Sequence, residues 1–344
     1  MRAVRYPGYG LRPELVELPE PSCPDDGVLV RVEATGVCRS DWHAWRGHDP
    51  VPLPMVPGHE FAGTVHAVGS RVRGWQVGDR VTAPFVQGCG RCGWCRDGQA
   101  QVCPDQVQPG FTTDGSFAEL VVVTAAATNL VRLPDDVDAV AAAALGCRVA
   151  TAHRALTVHG RLAAGEWLVV HGCGGVGLSA VMIARALGAR VVAVDVAEGP
   201  RRRASELGAE TVLAPGPDLV ERVHELTGGG AHVSVDAVGV PATVAASVHC
   251  LRRRGRHVQV GLLLGEDGTP PVPMGPVVAQ ELSLHGSHGM PAVDYPALLE
   301  LVASGRLRPG ELVGRVVQLS GAPDALVGLD GEPTTAGITV ISLG

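Results

Sequence analysis

The spacing of apolar positions changes character once along this chain, and the change separates two kinds of structure. Val28 to Val37 and Phe61 to Val68 alternate apolar and polar residues, and Gly78-Asp79 reads as a turn entering a strand at Arg80-Val81. Gly and Pro punctuate the stretch as far as Pro134, which predicts a β-rich region of short strands. An Ala-rich run from Asp138 to Leu156 then reads as helical. Beyond it strands (Trp167–His171, Arg190–Asp195, Val212-Leu213, Val233–Asp236, Arg256–Gly261) alternate with helices (Val176–Leu187, Arg201–Leu207, Leu219–Leu226, Ala242–Leu251), and a last strand follows at Leu282–Gly286. That alternation predicts an α/β fold with a doubly wound parallel sheet. The helix Tyr295–Ala303 and the strands Val313–Leu319 and Ile338–Ile341 are too few for a domain of their own and are expected to rejoin the β-rich region. One domain is therefore expected at residues 1–148 and 288–344, the other at 149–287.

Composition narrows the picture. A chain of 344 residues is long enough for two domains, each with its own core. With 46% apolar and 18% charged residues it folds compactly and is not disordered. The formal charge is −7, and the only basic runs are Arg201-Arg202-Arg203 and Arg252-Arg253-Arg254, both read as solvated helix or turn surface. No nucleic acid and no anionic membrane is expected as a partner. No window approaches ~18 uninterrupted apolar residues, so a membrane span is not expected. The start, Met1 to Pro7, lacks the apolar stretch of a signal peptide. All 28 basic side chains are arginine, which excludes Schiff-base chemistry, pyridoxal phosphate attachment and a P-loop lysine. Nine cysteines are an odd number, and seven stand at ligand-like positions. Metal binding in a reducing cytoplasm fits them better than disulfides.

The chemistry concentrates in three places. Gly172-Cys173-Gly174-Gly175-Val176-Gly177 follows a predicted strand and opens a predicted helix, as a turn for a dinucleotide pyrophosphate does. Asp195 ends the next strand, near the offset of the acid that holds a ribose, and its charge favours NAD over NADP unless Arg201 to Arg203 offset it. Cys89, Cys92, Cys95 and Cys103 supply four thiols in one loop, the donor set of a closed structural zinc site. Cys38, His59 and Cys147 offer two thiols and an imidazole from distant segments, with Ser40 and His43 beside the first. That is the inventory of a catalytic zinc with one open position and a nearby exit for a proton. Asp41 is placed to orient the His59 imidazole, and Glu60 lies beside the metal. Cys23, Cys173 and Cys250 have no such company and read as packing residues.

Together these motifs resemble the zinc-dependent medium-chain alcohol dehydrogenase family, over essentially the whole chain. The resemblance implies a GroES-like catalytic domain interrupted by a Rossmann coenzyme domain. It implies that Cys38, His59 and Cys147 hold the catalytic zinc, and that Glu60 follows the histidine as it does in the family. Cys89, Cys92, Cys95 and Cys103 match the lobe zinc, and Ser40 and His43 the proton relay. Thr151 falls where a threonine touches the nicotinamide, Phe85 where an aromatic lines the substrate pocket, and Val238 and Gly261 at coenzyme-contacting strand ends. One departure stands out. The family commonly has Gly followed by a basic residue before its last strand, and here the segment is Gly337-Ile338-Thr339-Val340. Cys147 as third ligand argues for the alcohol branch over the polyol branch, where a glutamate commonly takes that place.

The expected reaction is reversible hydride transfer between an alcohol and NAD(H), with Ser40 taking the hydroxyl proton and His43 releasing it to solvent. The alternatives are a zinc-free quinone or enone reductase of the same superfamily, which would lack the cysteines, and a non-enzymatic NAD(H) sensor, which would not need Ser40 and His43 beside an open metal. Trp42, Trp45, Phe85 and Trp94 suit a pocket for medium or aromatic alcohols, although tryptophans near a loop are as often packing residues. The expected assembly is a homo-oligomer, tetramer before dimer.

Overall fold

The computed structural model describes residues 1–331 and 337–344. It divides into two compact units, Met1–Ala150 with Gly289–Gly344, and Thr151–His288. The second is thus inserted into the first.

The first unit is β-rich. Strands β1 (Arg2–Arg5) and β2 (Glu14–Glu17) form an antiparallel pair. The main sheet contains β3 (Val28–Val37), β4 (Glu60–Val68), β5 (Arg80–Thr82), β6 (Leu120–Val123) and β7 (Val131–Arg132). The ten residues of β3 sit at its centre, because all but Arg31 and Glu33 are buried. Among the described residues, two hydrophobic clusters lie in this unit. One packs Tyr6, Trp45, Met55 and Phe117 with Leu326 and Ile341, and the other packs Val30, Phe61, Val65 and Val121. The Ala-rich run is not one helix. It breaks into Ala139–Ala143 and Arg148–Arg154 around a turn that carries Cys147, and then continues as a π-helical segment, Ala155–His159.

The second unit is built on β8 (Trp167–His171), β9 (Arg190–Val194), β10 (Thr211–Leu213), β11 (Ala231–Asp236), β12 (Leu251–Gln259) and β13 (Ser283–Gly286). All pairs are parallel, in the order β10-β9-β8-β11-β12-β13. Every residue of β8 is buried, as expected of a strand covered on both faces. Each Val or Leu so placed contributes about 1.5–3 kcal/mol of burial. The strand order reverses between β8 and β11, so the crevice outside their carboxyl ends is where an open sheet of this kind takes a ligand. This is the doubly wound α/β sheet that the alternation of elements predicts.

Strand β12 begins at Leu251, earlier than the periodicity predicts, because the helix before it stops at His249. Its first residues, Arg252 to Arg254, are exposed. The other triplet, Arg201 to Arg203, lies on the helix Glu198–Glu206.

The chain closes in the first unit. Strands β14 (Val313–Gln318) and β15 (Ile338–Ser342) pair in parallel, and β15 lies antiparallel to β3. Ile338, where the sequence lacks a basic residue, is buried in β15.

Candidate active site

Cys38 caps the helix Arg39–Arg46, and Asp41 in its first turn accepts the Cys38 backbone N–H through Oδ2 at 2.9 Å. This local bond fixes the Asp41 carboxylate. Its other oxygen accepts from Gly58 N at 3.0 Å and meets His59 Nδ1 at 2.9 Å. Both side chains are buried. Burial alone would pull the His59 imidazole down, but the Asp41 charge outweighs it and holds the ring well above its ordinary value. With Nδ1 engaged, His59 Nε2 is buried and has no hydrogen-bond partner among the described residues.

That orphaned nitrogen belongs to a cluster. Cys38, His59, Glu60 and Cys147 each offer a donor atom, all within 4.8 Å of one another, and all four residues are buried. A buried imidazole with one nitrogen oriented by a carboxylate and the other facing two thiols is the donor set of a zinc ion. Cys147 is held by its neighbours: Tyr295 Oη donates to Leu145 O at 3.0 Å, and Phe85 N donates to Gly146 O at 3.2 Å. The two thiols differ. A hydrogen bond from Cys147, with Arg148 and His59 nearby, holds Cys38 well below the thiol range, whereas Cys147 is pushed up by its bond to Cys38 and by burial.

Glu60 does not face the cluster unopposed. Arg148 Nε donates to its Oε1 at 2.8 Å, the Arg148 backbone N–H adds a bond at 3.0 Å, and Nη2 reaches the other oxygen. This bidentate pair is sealed from water, with side chains 7% and 0% exposed. Residue-type reasoning missed Arg148, although a signal was present: it is the one charge in the run from Ala139 to Ala152. A charge buried there requires a partner.

Around these donors, Phe85 and Phe111 place their rings 5.8 and 5.2 Å from the His59 ring. Of the tryptophans considered for a pocket, Trp45 is core and Trp94 is 56% exposed on the cysteine loop. Ser40 Oγ lies 3.8 Å from Cys38 Sγ. His43 is half-buried on the same helix, and its Nδ1 meets Nδ1 of the exposed His48 at 3.2 Å. Burial, His48 and Arg39 together lower the His43 value, against a pull upward from Cys38.

The second group of donors is Cys89, Cys92, Cys95 and Cys103, again within 4.8 Å of one another. Backbone N–H groups point at the sulfurs, from Cys89 to Cys103 Sγ and from Cys95 to Cys92 Sγ, each at 3.4 Å. The N–H of Arg91 is the main reason the Cys89 thiol drops to about 6, while burial pushes Cys95 up to about 12. All nine cysteines are free thiols. Cys173 and Cys250 are buried, and burial pushes both to about 12, as expected of packing residues.

In the second unit the glycine turn caps the helix Gly175–Ala186. Gly172 has φ +92°, and a Cβ there would sit 2.6 Å from Val238 Cγ2. A Cβ on Gly177 would lie 1.8 Å from Gly172 O, so only glycine lets helix and strand meet. Gly174 by contrast has nothing within 4 Å of that position. Open space before the free N–H groups of a helix that includes Val176 suits a pyrophosphate. Asp195 accepts from Cys173 N at 2.7 Å and Ala197 N at 2.9 Å, which pins the carboxylate beside the turn. Arg201 Nη1 donates to Asp195 O and Val196 O at 2.7 and 2.8 Å, so it braces the backbone. Asp236 collects Val238 N and Gly239 N at 2.8 and 3.1 Å, and Gly261 packs against that turn. Thr151 Oγ1 is buried without a hydrogen-bond partner among the described residues.

Comparison with known proteins identifies the family. The family model described as "Alcohol dehydrogenase GroES-like domain" matches residues 24–135, and "Zinc-binding dehydrogenase" matches residues 175–304. An alcohol dehydrogenase from Geobacillus stearothermophilus is 34% identical over 300 residues, covering 86% of each chain. The solved alcohol dehydrogenase TADH from Thermus sp. ATN1 superposes with a TM-score of 0.92 at 32% identity, over 100% of both chains. A solved NAD-dependent alcohol dehydrogenase gives 0.89, also at 32% identity and 100% of both chains. Among the described residues no helix is long and apolar enough to cross a membrane.

Proposed function

Since this chain belongs to the zinc-dependent medium-chain alcohol dehydrogenase family, we propose that it oxidises a small alcohol with NAD, reversibly, at the buried Cys38–His59–Cys147 cluster. The observation that carries this reading is His59 Nε2, buried beside two thiols with no hydrogen-bond partner among the described residues, while Asp41 holds the opposite nitrogen. Cys38, His59 and Cys147 would hold one zinc, and the four sulfurs of the 89–103 loop a second, structural one. When bound, the first ion polarises the substrate oxygen and NAD accepts the hydride.

The protein's own residues do the rest. Asp41 orients His59, and the Arg148 guanidinium pairs with the buried Glu60 carboxylate beside the cluster. Ser40, next to Cys38, takes the hydroxyl proton, and His43 passes it outward. Phe85 and Phe111 supply an apolar wall that excludes water and suits a medium or aromatic alcohol. The unit Met1–Ala150 with Gly289–Gly344 is the catalytic domain, and Thr151–His288 the coenzyme domain. There the 172–177 turn takes the pyrophosphate, Thr151, Val238 and Gly261 border the nicotinamide half, and Asp195 takes the ribose hydroxyls. A carboxylate pinned at that place repels a 2′-phosphate, which favours NAD over NADP.

Nine free thiols suit a reducing cytoplasm. Exposed Leu284 in the edge strand β13, and exposed Met274 and Val278 in the helix Met274–Ala279 before it, suit a homo-oligomer, with a tetramer favoured and light scattering as its check. A panel of primary, secondary and aromatic alcohols, followed by NADH or NADPH absorbance, tests the reading. NAD-dependent turnover that disappears in Cys38→Ser is expected. Turnover that persists there, or absence of turnover with every alcohol, contradicts it.

A further inference from the structure

The proton exit does not end on a single imidazole. The helix Arg39–Arg46 stops at Gly47, whose φ of +77° turns the chain back on itself. Gly47 N donates to Ala44 O at 3.0 Å and His48 N to His43 O at 2.9 Å, the paired bonds of a Schellman cap. A side chain at position 47 would be strained by that φ and would also press on the Tyr9 ring, 3.0 Å from its Cβ. The cap therefore folds residue 48 over residue 43, and the two rings meet Nδ1 to Nδ1 at 3.2 Å. Trp42 packs edge-on against both, with centroids 4.9 and 5.1 Å away. Trp42 is itself fixed by Nε1 donating to Asp330 Oδ1 at 2.6 Å. Exposure rises along the series, from half-buried His43 to exposed His48.

We propose that His43 and His48 act as one proton-accepting pair, in which His48 is the outer member that delivers the proton to water. The proposal rests on the alcohol dehydrogenase reading above. Oxidising an alcohol breaks its carbinol C–H bond, whose electron pair leaves as the hydride NAD receives, and breaks its O–H bond, which frees one proton. In the final step the arriving proton bonds to His43 Nε2, the Nδ1–H bond of His43 breaks as an Nδ1–H bond forms on His48, and the Nε2–H bond of His48 breaks to release a proton to solvent. The two facing nitrogens share one proton, one donating and the other accepting. The charges around it are Arg39, which lies over the Trp42 ring, the Cys38 sulfur, Asp49 beside His48, and Asp330, which is occupied by Arg46 and Trp42.

The test uses the zinc-loaded protein with NAD and its best alcohol, in stopped flow at low buffer, with NADH absorbance and a pH indicator read together. In the wild type, proton and NADH appear at the same rate. In His48→Asn proton appearance slows by about tenfold, less than the 10²–10⁴-fold worth of a principal acid–base group, and added imidazole restores it. His43→Asn together with His48→Asn is no slower than His43→Asn alone, because the two act in series. A readout independent of turnover is the histidine NMR titration, in which His43 titrates at higher pH once His48 is gone. Proton release in His48→Asn that matches the wild type at low buffer overturns the proposal, and so does an unchanged His43 titration. A wild type that oxidises no alcohol defeats the parent reading, whereas an active wild type with an unaltered variant defeats this proposal alone.

Discussion

Both cysteine clusters bring their donor atoms within 4.8 Å of one another, yet they are built in opposite ways. The 89–103 loop takes four sulfurs from one short stretch, three of them only partly buried, and tunes them with its own backbone N–H groups. The other cluster takes two sulfurs and one nitrogen from three remote segments, all of them buried. Each donor is held by a partner: Cys38 by the Asp41 cap, His59 by Asp41, and Cys147 by the Tyr295 and Phe85 contacts of its turn. Its one carboxylate, Glu60, is claimed by Arg148. On the proposed reading the four sulfurs would close a tetrahedron, whereas Cys38, His59 and Cys147 would leave a corner for substrate. Local density of ligands would then make a staple, and long-range assembly a site.

Disabling the assembled cluster at a ligand breaks the comparison most severely. Cys147→Ser is expected to lower kcat/KM by on the order of 10³-fold, the scale of several kcal/mol from a bound cation, while circular dichroism stays unchanged. Next comes the paired acid. Arg148→Ala strands a buried carboxylate and is expected to cost about 3–5 kcal/mol in urea unfolding, and the neutral pair Glu60→Gln with Arg148→Met recovers most of it.

Acid would release metal from both proposed zinc sites, so the fold's own acid sensitivity must be separated from theirs. His171 supplies it: full burial lowers its value from 6.5 to about 4. The unfolded chain therefore binds the extra proton first, and stability present above pH 6.5 drains away as pH falls toward 4. The loss is on the order of 3 kcal/mol, and His171→Leu flattens the fall in Tm across that window. The smallest effect belongs to orientation. Asp41→Asn leaves every ligand in place and is expected to weaken zinc binding at the buried cluster by about 10–100-fold in a chelator competition, with the loop cluster unaffected.

Much of this was legible in the sequence, and unevenly. The doubly wound sheet announces itself through apolar strands separated by helices, and the 172–177 turn through glycines placed between strand and helix. The loop cysteines are equally readable, because contiguity needs no fold. The helix Arg39–Arg46 was not legible, since its apolar face is only Ala44 and Trp45 and its stability comes from caps at Cys38 and Gly47. Arg148 and His48 escaped for a shared reason: their roles depend on what folding puts opposite them. A turn places Arg148 against Glu60, and a glycine cap lays His48 over His43. The break of the Ala-rich run at Cys147 was hidden by composition, because alanine fits the helices and the turn alike.

The most direct test of the contrast is zinc content per chain, measured beside activity in the wild type, Cys38→Ser and Cys92→Ser. The account predicts two ions in the wild type and one in each variant, with turnover abolished in Cys38→Ser but Tm kept, and Tm lowered in Cys92→Ser with turnover per folded chain largely kept. Full zinc content or full turnover in Cys38→Ser would contradict it.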